Sequence, residues 1–361
     1  MEILLRPVAA DPRYLFPSSA ARRAPVNEYV TNAGSNSVSV INTATNSVVD
    51  TIAVGSAPGD VAVTPSGASA YVVNGGSNSV SVINTITNTV AATVAVGTTP
   101  AHVAVTRDGT KAYITNGGSN SVTAINTSTN SVIATIPVGH NPGALTVTPN
   151  GSTVYVLNQF SGTVSAISTS TNSVIATVPV GVWPFSIAIT PNGALAYVVN
   201  LGSGSVSVIN TSTNTVAETA KVGGLPVDVA ITPNGNAAYV VNAGSNSVSV
   251  LSTCYAIVAP CLGVTSVSVG SQPFHVVISP NGTQAYVANA GSGSVSVINT
   301  ATLSVGSTVA VGLLPLNATI SDENLYVLNA LGNTVSAINL LSNSVVATIP
   351  VGSDPVSIGV Q

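Results

Sequence analysis

A repeat of about 42 residues runs through most of this chain. Aligned on tyrosine, its units begin at Tyr29, Tyr71, Tyr113, Tyr155, Tyr197, Tyr239, Tyr286 and Tyr326. Each unit contains four short segments rich in Val, Ile and Thr, as in Tyr71–Asn74, Ser79–Ile83, Val90–Val96 and His102–Thr106. Repeated units stack into one body, and four short antiparallel strands in about 42 residues are typical of a propeller blade. The repeat therefore predicts an all-β fold, a single β-propeller.

The two ends of the chain predict the number of blades. The chain enters the repeat at the Tyr strand, and the Pro-led strand that is missing before Tyr29 is present at the far end as Pro355–Val360. If this last strand completes the first blade, the ring has no open edge. Eight four-stranded blades are expected, with seven as the alternative if a terminal unit is displaced. The propeller spans residues 29–361, and residues 1–28 are an extension that is either disordered or packed on it.

The composition argues against several classes of partner. Only 5% of the residues are charged, and seven Lys and Arg leave a net charge of −4. Such a chain has no basic stripe that could neutralise a run of phosphates, so we expect no nucleic-acid partner. Gly, Pro or Asn interrupts every apolar run before the roughly 18 residues that a membrane-spanning helix needs, so we expect no membrane span.

Two stretches of sequence resemble a known family. Tyr29–Asn32 (YVTN) and Ser37–Asn42 (SVSVIN) resemble the YVTN family of β-propeller repeats, and the likeness covers essentially everything after residue 28. The family occurs in surface-layer and secreted proteins, which implies an extracytoplasmic location, although no signal peptide is visible in the first 28 residues. The resemblance specifies a fold rather than a function, because one fold carries many unrelated sites.

The architecture is also similar to that of streptogramin lyases, lactonases and the haem-binding domain of cytochrome cd1 nitrite reductases. None of their active sites can be transferred residue by residue. The sequence has no haem-attachment motif and no nucleotide-binding loop. The sequence therefore does not specify a cofactor.

Two cysteines mark a departure from the repeat. Cys254 and Cys261 bracket extra residues between the third and fourth strands of the unit that begins at Tyr239. A disulfide that closes this hairpin fits an oxidising compartment, and the alternative is a pair of buried thiols.

The residues that vary between units indicate a functional rim. Two places after the proline that opens each innermost strand, the units carry Asp60, His102, Ala144, Ser186, Asp228, His275, Asn317 and Ser357. Adjacent Asp and His residues therefore occur twice, four blades apart. The third histidine, His140, precedes Pro142 and is predicted to lie on the same rim.

The aromatic residues agree with this location. Trp183, Phe185 and Phe274 flank the same prolines, while Gln159 and Phe160 replace a glycine-rich loop. Aromatic walls with a few polar groups are typical of a small-molecule pocket.

Two functional hypotheses follow. The first is an extracytoplasmic, monomeric protein that binds a small molecule, a glycan or a peptide in an axial pocket, through Trp183, Phe185, Phe160, Gln159, Phe274 and Asn317. The second is a hydrolase or lyase in which an aspartate orients a histidine as general base, with His102, His275, Asp60, Asp228 and His140 as candidates. The same imidazoles and carboxylates also suit a divalent metal. The structural alternative is that these Asp and His side chains cap the backbone of neighbouring blades.

Overall fold

The computed structural model describes residues 26–252 and 263–360, which form thirty-two β-strands. The strands of the first four blades, innermost strand first, are as follows: blade 1, β32 (Pro355–Val360), β1 (Asn27–Asn32), β2 (Ser37–Asn42) and β3 (Ser47–Ala53); blade 2, β4 (Pro58–Val63), β5 (Ser69–Asn74), β6 (Ser79–Asn84) and β7 (Thr89–Ala95); blade 3, β8 (Pro100–Val105), β9 (Lys111–Asn116), β10 (Ser121–Asn126) and β11 (Ser131–Pro137); blade 4, β12 (Pro142–Val147), β13 (Thr153–Asn158), β14 (Thr163–Ser168) and β15 (Ser173–Pro179).

The other four blades have the same order of strands. They are blade 5, β16 (Pro184–Ile189), β17 (Leu195–Asn200), β18 (Ser205–Asn210) and β19 (Thr215–Lys221); blade 6, β20 (Pro226–Ile231), β21 (Ala237–Asn242), β22 (Ser247–Ser252) and β23 (Val264–Ser268); blade 7, β24 (Pro273–Ile278), β25 (Gln284–Asn289), β26 (Ser294–Asn299) and β27 (Ser304–Ala310); blade 8, β28 (Pro315–Ser321), β29 (Asn324–Asn329), β30 (Thr334–Asn339) and β31 (Ser344–Pro350).

The C-terminal strand closes the ring. β32 pairs antiparallel with β1, with Tyr29 opposite Gly359 and Val30 opposite Ile358. Each innermost strand also packs against the innermost strands of both neighbouring blades. The prediction of eight four-stranded blades closed by the last strand is therefore confirmed, and the alternative of seven is wrong.

Two predictions fall largely outside the described residues. The expected extension, residues 1–28, is described only from residue 26, and β1 already begins at Asn27. The proposed disulfide between Cys254 and Cys261 lies in residues 253–262, outside the described ranges.

In the part of the chain that the structure describes, no helix is long and apolar enough to cross a membrane.

Apolar seams hold neighbouring blades together. The second strand of each blade carries a fully buried tyrosine, which faces the following blade; Tyr29 of blade 1, for example, shares a cluster with Ala70 and Val72 of blade 2. Many of the tyrosine hydroxyls also donate to an asparagine in the outer hairpin of the following blade, as Tyr155 does to Asn214 Oδ1 at 2.6 Å. Most seams therefore combine a buried apolar contact with a hydrogen bond to the next blade.

A second contact recurs at every crossover between blades. The glycine after each outermost strand lies directly on the asparagine that ends the second strand of the following blade. Gly181 donates its backbone N–H to Asn200 Oδ1 at 3.1 Å, and a Cβ on Gly181 would lie 2.6 Å from Asn200 Cγ. The eight pairs are Gly55 and Asn74, Gly97 and Asn116, Gly139 and Asn158, Gly181 and Asn200, Gly223 and Asn242, Gly270 and Asn289, Gly312 and Asn329, and Gly352 and Asn32.

The crossover covers the asparagine side chain. The Asn200 side chain donates to Ser207 Oγ at 3.0 Å and lies with no exposed surface under the crossover. A residue with a side chain at Gly181 would have to displace this bonded group. Glycine is therefore required here by close approach of the backbone.

We predict that Gly181→Ala lowers the free energy of unfolding by about 1–3 kcal/mol, because overpacking a closely packed contact typically costs that much. Gly306→Ala is the matched control, since the nearest atom to its added Cβ, the carbonyl oxygen of Val297, would be 3.9 Å away. Denaturant or thermal unfolding of the two variants measures the difference. Equal stability of the two variants would contradict this account of the crossover.

Candidate functional site

The rim of the ring is built from two kinds of loop. One is the crossover into each innermost strand, and the other joins the second and third strands of a blade. They are hydrogen-bonded to each other: Leu201 N donates to Trp183 O at 3.0 Å, and Gly75 N donates to Ala57 O at 2.9 Å. Both loops therefore lie at the same face, where the predicted site residues are found.

The residue before each innermost proline has a left-handed backbone. The eight residues, with φ between 47° and 55°, are Ala57, Thr99, Asn141, Trp183, Leu225, Gln272, Leu314 and Asp354. This conformation is uncommon for residues other than glycine, and it is unusual for β-branched and bulky ones. Because it occurs in every blade, it belongs to the scaffold. What differs between blades is the side chain that each position presents.

The third residue of each innermost strand forms a second ring just inside the rim. In blade order from blade 1 it reads Ser357, Asp60, His102, Ala144, Ser186, Asp228, His275 and Asn317. The run Ser, Asp, His therefore occurs twice, on opposite sides of the axis. The structure links each run by hydrogen bonds between adjacent blades.

In the first run, Asp60 is the central residue. Its Oδ1 accepts a hydrogen bond from Ser357 Oγ at 3.0 Å, and its Oδ2 accepts one from the backbone N–H of Val103 at 3.1 Å. Nδ1 of His102 lies 3.5 Å from the same Oδ2. Burial acts to raise the pKa of Asp60, but His102 and these N–H and O–H donors together lower it below its ordinary value.

The second run is tighter. Asp228 accepts from Ser186 Oγ at 2.9 Å and from Val276 N at 3.0 Å, and Nδ1 of His275 lies 2.8 Å from its Oδ2. Nε2 of His275 lies 3.1 Å from the carbonyl oxygen of Ala318 in blade 8. Both ring nitrogens of His275 are thus engaged.

The ionisation of this pair follows from its surroundings. Burial acts to lower the pKa of His275, but the Asp228 carboxylate and the Ala318 carbonyl raise it above its ordinary value. Burial likewise acts to raise the pKa of Asp228, and His275 with the neighbouring donors brings it below its ordinary value. The interactions that raise the pKa of His275 stabilise the folded state. Their contribution to the free energy of unfolding is complete below about pH 6.5 and is lost as the pH rises through the folded-state pKa.

The two runs differ in exposure. The side chain of His102 is 46% exposed, whereas that of His275 is 27% exposed. Among the described residues, Nε2 of His102 has no hydrogen-bond partner. Asp60, Asp228 and His275 bond to the backbone of the neighbouring blade, which is the structural role considered above as the alternative to a functional one. His102 keeps one ring nitrogen open.

The structure places His140 in a groove between blades 3 and 4. The groove has a volume of about 500 Å³, and Thr99, Asn120, Asn141 and Phe160 are among its lining residues. Nδ1 of His140 lies 3.3 Å from Asn120 Nδ2. His140 is therefore on the predicted rim, but it belongs to this outer groove rather than to an Asp-His pair.

The side chain of Gln159 is hydrogen-bonded to a residue of the rim itself. Its Oε1 accepts from Asn141 Nδ2 at 2.8 Å, and its amide nitrogen lies 2.7 Å from where a Cβ on Gly143 would be. The absence of a side chain at Gly143 makes room for it. Gln159 thus braces the rim next to the exposed ring of Phe160.

The predicted aromatic residues lie mainly over blades 5 to 7. Phe185 and Phe274 are half-buried and pack against the same cluster as Val227, the residue at the equivalent position of blade 6. Trp183 is 46% exposed and Leu225 is exposed. At the position that Phe185 and Phe274 occupy, blades 2 to 4 have only small residues: Gly59, Ala101 and Gly143.

Several residues of this site were not identified as such from the sequence. Ser186 and Ser357 bind the aspartates, and Val227 and Leu225 extend the apolar side. All four occupy positions that vary between units, so comparison of the units contained the signal. Asn317 completes the inner ring in blade 8. Within residues 26–252 and 263–360, no three His, Cys, Asp or Glu side chains converge as a metal site would require.

Comparisons with known proteins agree on the fold. A sequence model of the family described as lactonase, 7-bladed beta-propeller, matches residues 29–177, which is less than half of the chain. A search of curated proteins found no match.

Three solved structures illustrate the likeness. The dihydro-heme d1 dehydrogenase NirN in complex with DHE has a TM-score of 0.79 at 12% identity, over 96% of this chain and 78% of that one. Hydrazine synthase of Kuenenia stuttgartiensis has 0.64 at 21%, over 78% and 95%. A putative 6-phosphogluconolactonase of Bacteroides uniformis has 0.65 at 14%, over 94% and 100%. At these identities the likeness shows a propeller fold alone.

We predict that Asp228→Asn lowers the pKa of His275, because the amide keeps an acceptor for Val276 N but removes the carboxylate charge that raises this pKa. NMR titration of the three histidine rings measures it. Asp60→Asn is the control and should leave His275 unchanged, since Asp60 lies on the opposite side of the ring. An unchanged His275 titration in Asp228→Asn would show that Asp228 does not set this pKa.

Proposed function

We propose that this propeller binds a small molecule with an apolar face at the mouth of its channel. The observation that carries the proposal is the chemical asymmetry of the mouth. The second residue of the innermost strand is Phe185, Val227 and Phe274 in blades 5 to 7, whereas it is Gly59, Ala101 and Gly143 in blades 2 to 4, where His102 has its open imidazole nitrogen. A ligand placed across the axis would contact both halves.

The apolar half supplies the contact area. Trp183 and Leu225 expose large side chains on a rim, and Phe185, Val227 and Phe274 form a continuous apolar row below them. Burial of such surface by a ligand contributes roughly 25 cal/mol for each Å² removed from water. Clustered apolar surface of this kind commonly marks a binding site.

The polar half supplies orientation. Nδ1 of His102 lies towards Asp60, which leaves Nε2 to donate to or accept from a ligand. The groove with His140 and Phe160 lies next to it and could receive a second part of a longer ligand, such as a glycan or a peptide. Two of the similar structures have names that concern small molecules, NirN in complex with DHE and the putative 6-phosphogluconolactonase.

A hydrolase is the second candidate, favoured by the open Nε2 of His102. A histidine whose Nδ1 is oriented by a carboxylate can take a proton from water at Nε2 and so act as general base. The lactonase family model matches residues 29–177, a range that includes Asp60 and His102. A lactone is therefore the first substrate class to test, and a lyase reaction would use the same base.

One panel of compounds tests both candidates. Lactones, oligosaccharides, short peptides and aromatic small molecules are added to the full chain, with thermal shift and calorimetry to detect binding and acid release to detect lactone hydrolysis. A compound that binds should bind at least tenfold more weakly to Trp183→Ala. Leu341→Ala is the matched control, because Leu341 is exposed on the opposite rim.

The two histidines then separate binding from catalysis. If the protein hydrolyses a lactone, His102→Ala should reduce turnover at least 100-fold, as expected for loss of a general base. His275→Ala should retain most of the turnover, since both nitrogens of His275 are already bonded. Equal turnover in the two variants would exclude His102 as the base, and equal ligand affinity in Trp183→Ala and Leu341→Ala would exclude the rim site.

We also propose that the protein works outside the cytoplasm, in keeping with its resemblance to secreted and surface-layer YVTN proteins. The prediction concerns Cys254 and Cys261, the only two cysteines of the chain. The protein is isolated from its native source, denatured and treated with a thiol-blocking reagent. Without prior reduction neither cysteine should be blocked, and after reduction both should be. Two blocked cysteines without reduction would contradict the disulfide and this support for the location.

A further inference from the structure

A single acidic residue is buried at the seam between blades 8 and 1. Glu28, the second residue of β1, has no exposed surface. The equivalent residues of the other seven blades are all apolar: Ala70, Ala112, Val154, Ala196, Ala238, Ala285 and Leu325. Glu28 therefore replaces a residue that the seam elsewhere uses for packing.

The carboxyl group of Glu28 is shielded from solvent. Among the described residues, neither of its oxygens has a hydrogen-bond partner. Burial, with a further contribution from the charge of Asp322, raises the pKa of Glu28 to about 8, and the Ser321 hydroxyl lies near enough to offset only part of this. A buried carboxylate without a counter-charge is strongly unfavourable.

The adjacent blade, blade 8, departs from the repeat at the same seam. The inner hairpins of blades 2 to 7 each contain a glycine with positive φ, whereas blade 8 has the shorter turn Asp322-Glu323, with Asp322 at φ 51°. This turn brings the carboxylate of Asp322 to the seam, where its Oδ2 accepts from Thr43 Oγ1 at 3.2 Å. Two changes in adjacent blades thus bring two acidic residues together.

Several neutral oxygen atoms lie at the same seam, next to Asp322. Thr43 Oγ1 lies 2.8 Å from the carbonyl oxygen of Val26, and the hydroxyl of Tyr326 lies 3.3 Å from the carbonyl oxygen of Thr43. The charges of Glu28 and Asp322 also help to raise the pKa of Tyr326, to about 12, after the larger effect of its burial. Within the described ranges, no Lys or Arg forms an ion pair with either acid.

We propose that Glu28 and Asp322 bind a calcium ion at this seam, with neutral oxygens of Thr43, Val26 and Ser321 completing the set of ligands. Carboxylate, carbonyl and hydroxyl oxygens are the ligands that Ca²⁺ takes. The exposed side chain of Asp322 provides the way in, and the unpartnered carboxyl of Glu28 provides the inner ligand. The ion supplies a counter-charge that no residue within 26–252 and 263–360 supplies there.

The position gives the ion a structural role. Blade 1 is the blade that the last strand closes, and Glu28 lies opposite Val360 of that strand. An ion that joins β1 to the turn of blade 8 would stabilise the closed ring.

Thermal unfolding of the full chain tests the site. In EDTA and then in rising Ca²⁺ at pH 8, the Tm of the wild type should rise saturably by several degrees, since a ligand of the native state alone stabilises it. Calorimetry with Ca²⁺ should give about one ion per chain, and Mg²⁺ should be weaker because it demands a stricter geometry.

Three variants provide the comparison. Glu28→Ala, which restores the residue used in most other blades, should fold, show a higher Tm than the wild type in EDTA, and lose the response to Ca²⁺. Asp322→Asn should weaken calcium binding at least tenfold, while Asp108→Asn, in an exposed turn of blade 3, should respond as the wild type does. A wild type whose Tm does not change with Ca²⁺, or a Glu28→Ala variant that retains the response, would overturn the proposal.

Discussion

Each crossover in this propeller passes over an asparagine at a distance that leaves no space for a side chain. The close approach of Gly181 to Asn200 recurs at all eight crossovers. It holds the chain as it travels from the outer edge of one blade to the centre of the next, and so determines where each innermost strand begins. The positions of the rim residues, of the inner ring and of the channel mouth all depend on that start.

The inner ring shows how one set of residues can serve two purposes. Asp60 and Asp228 each accept a backbone N–H from the following blade and a hydroxyl from the preceding one. They connect three consecutive blades, which no apolar residue at that position could do. Only in blade 3 does the neighbouring histidine keep an open nitrogen. The small residue before it, Ala101, contrasts with Phe274 before His275 and accounts for the difference in exposure.

Much of the fold could be predicted from the sequence, because period, turn residues and chain ends all depend on local spacing. The eight tyrosines and the missing first strand were sufficient to predict the closed ring. The site was predicted less completely. Its location on the rim followed from the variable positions, but the direction of each side chain did not. Whether Asp60 faces the channel or the next blade is decided by the bulge at the start of the innermost strand and by the twist between blades, which no local pattern specifies.

Two further residues illustrate the limit. Phe185 and Phe274 pack against one cluster, which also contains Val227. Predicting this contact requires knowledge of how three blades pack. Glu28 was visible as a charge in place of an alanine, but its meaning depends on the turn of blade 8, almost three hundred residues away. In a ring, the first and last blades are neighbours, and the sequence separates them most widely.

The left-handed residues before the eight innermost prolines also bear on how such a protein can change. Their backbone is held by the crossover, while their side chains range from that of Ala57 to that of Trp183. A substitution at an exposed position, such as Ala57, Thr99 or Trp183, alters what the mouth presents, whereas Leu314 also packs against the cluster between blades 8 and 1. New recognition can therefore evolve at the exposed positions while the seams between blades stay the same.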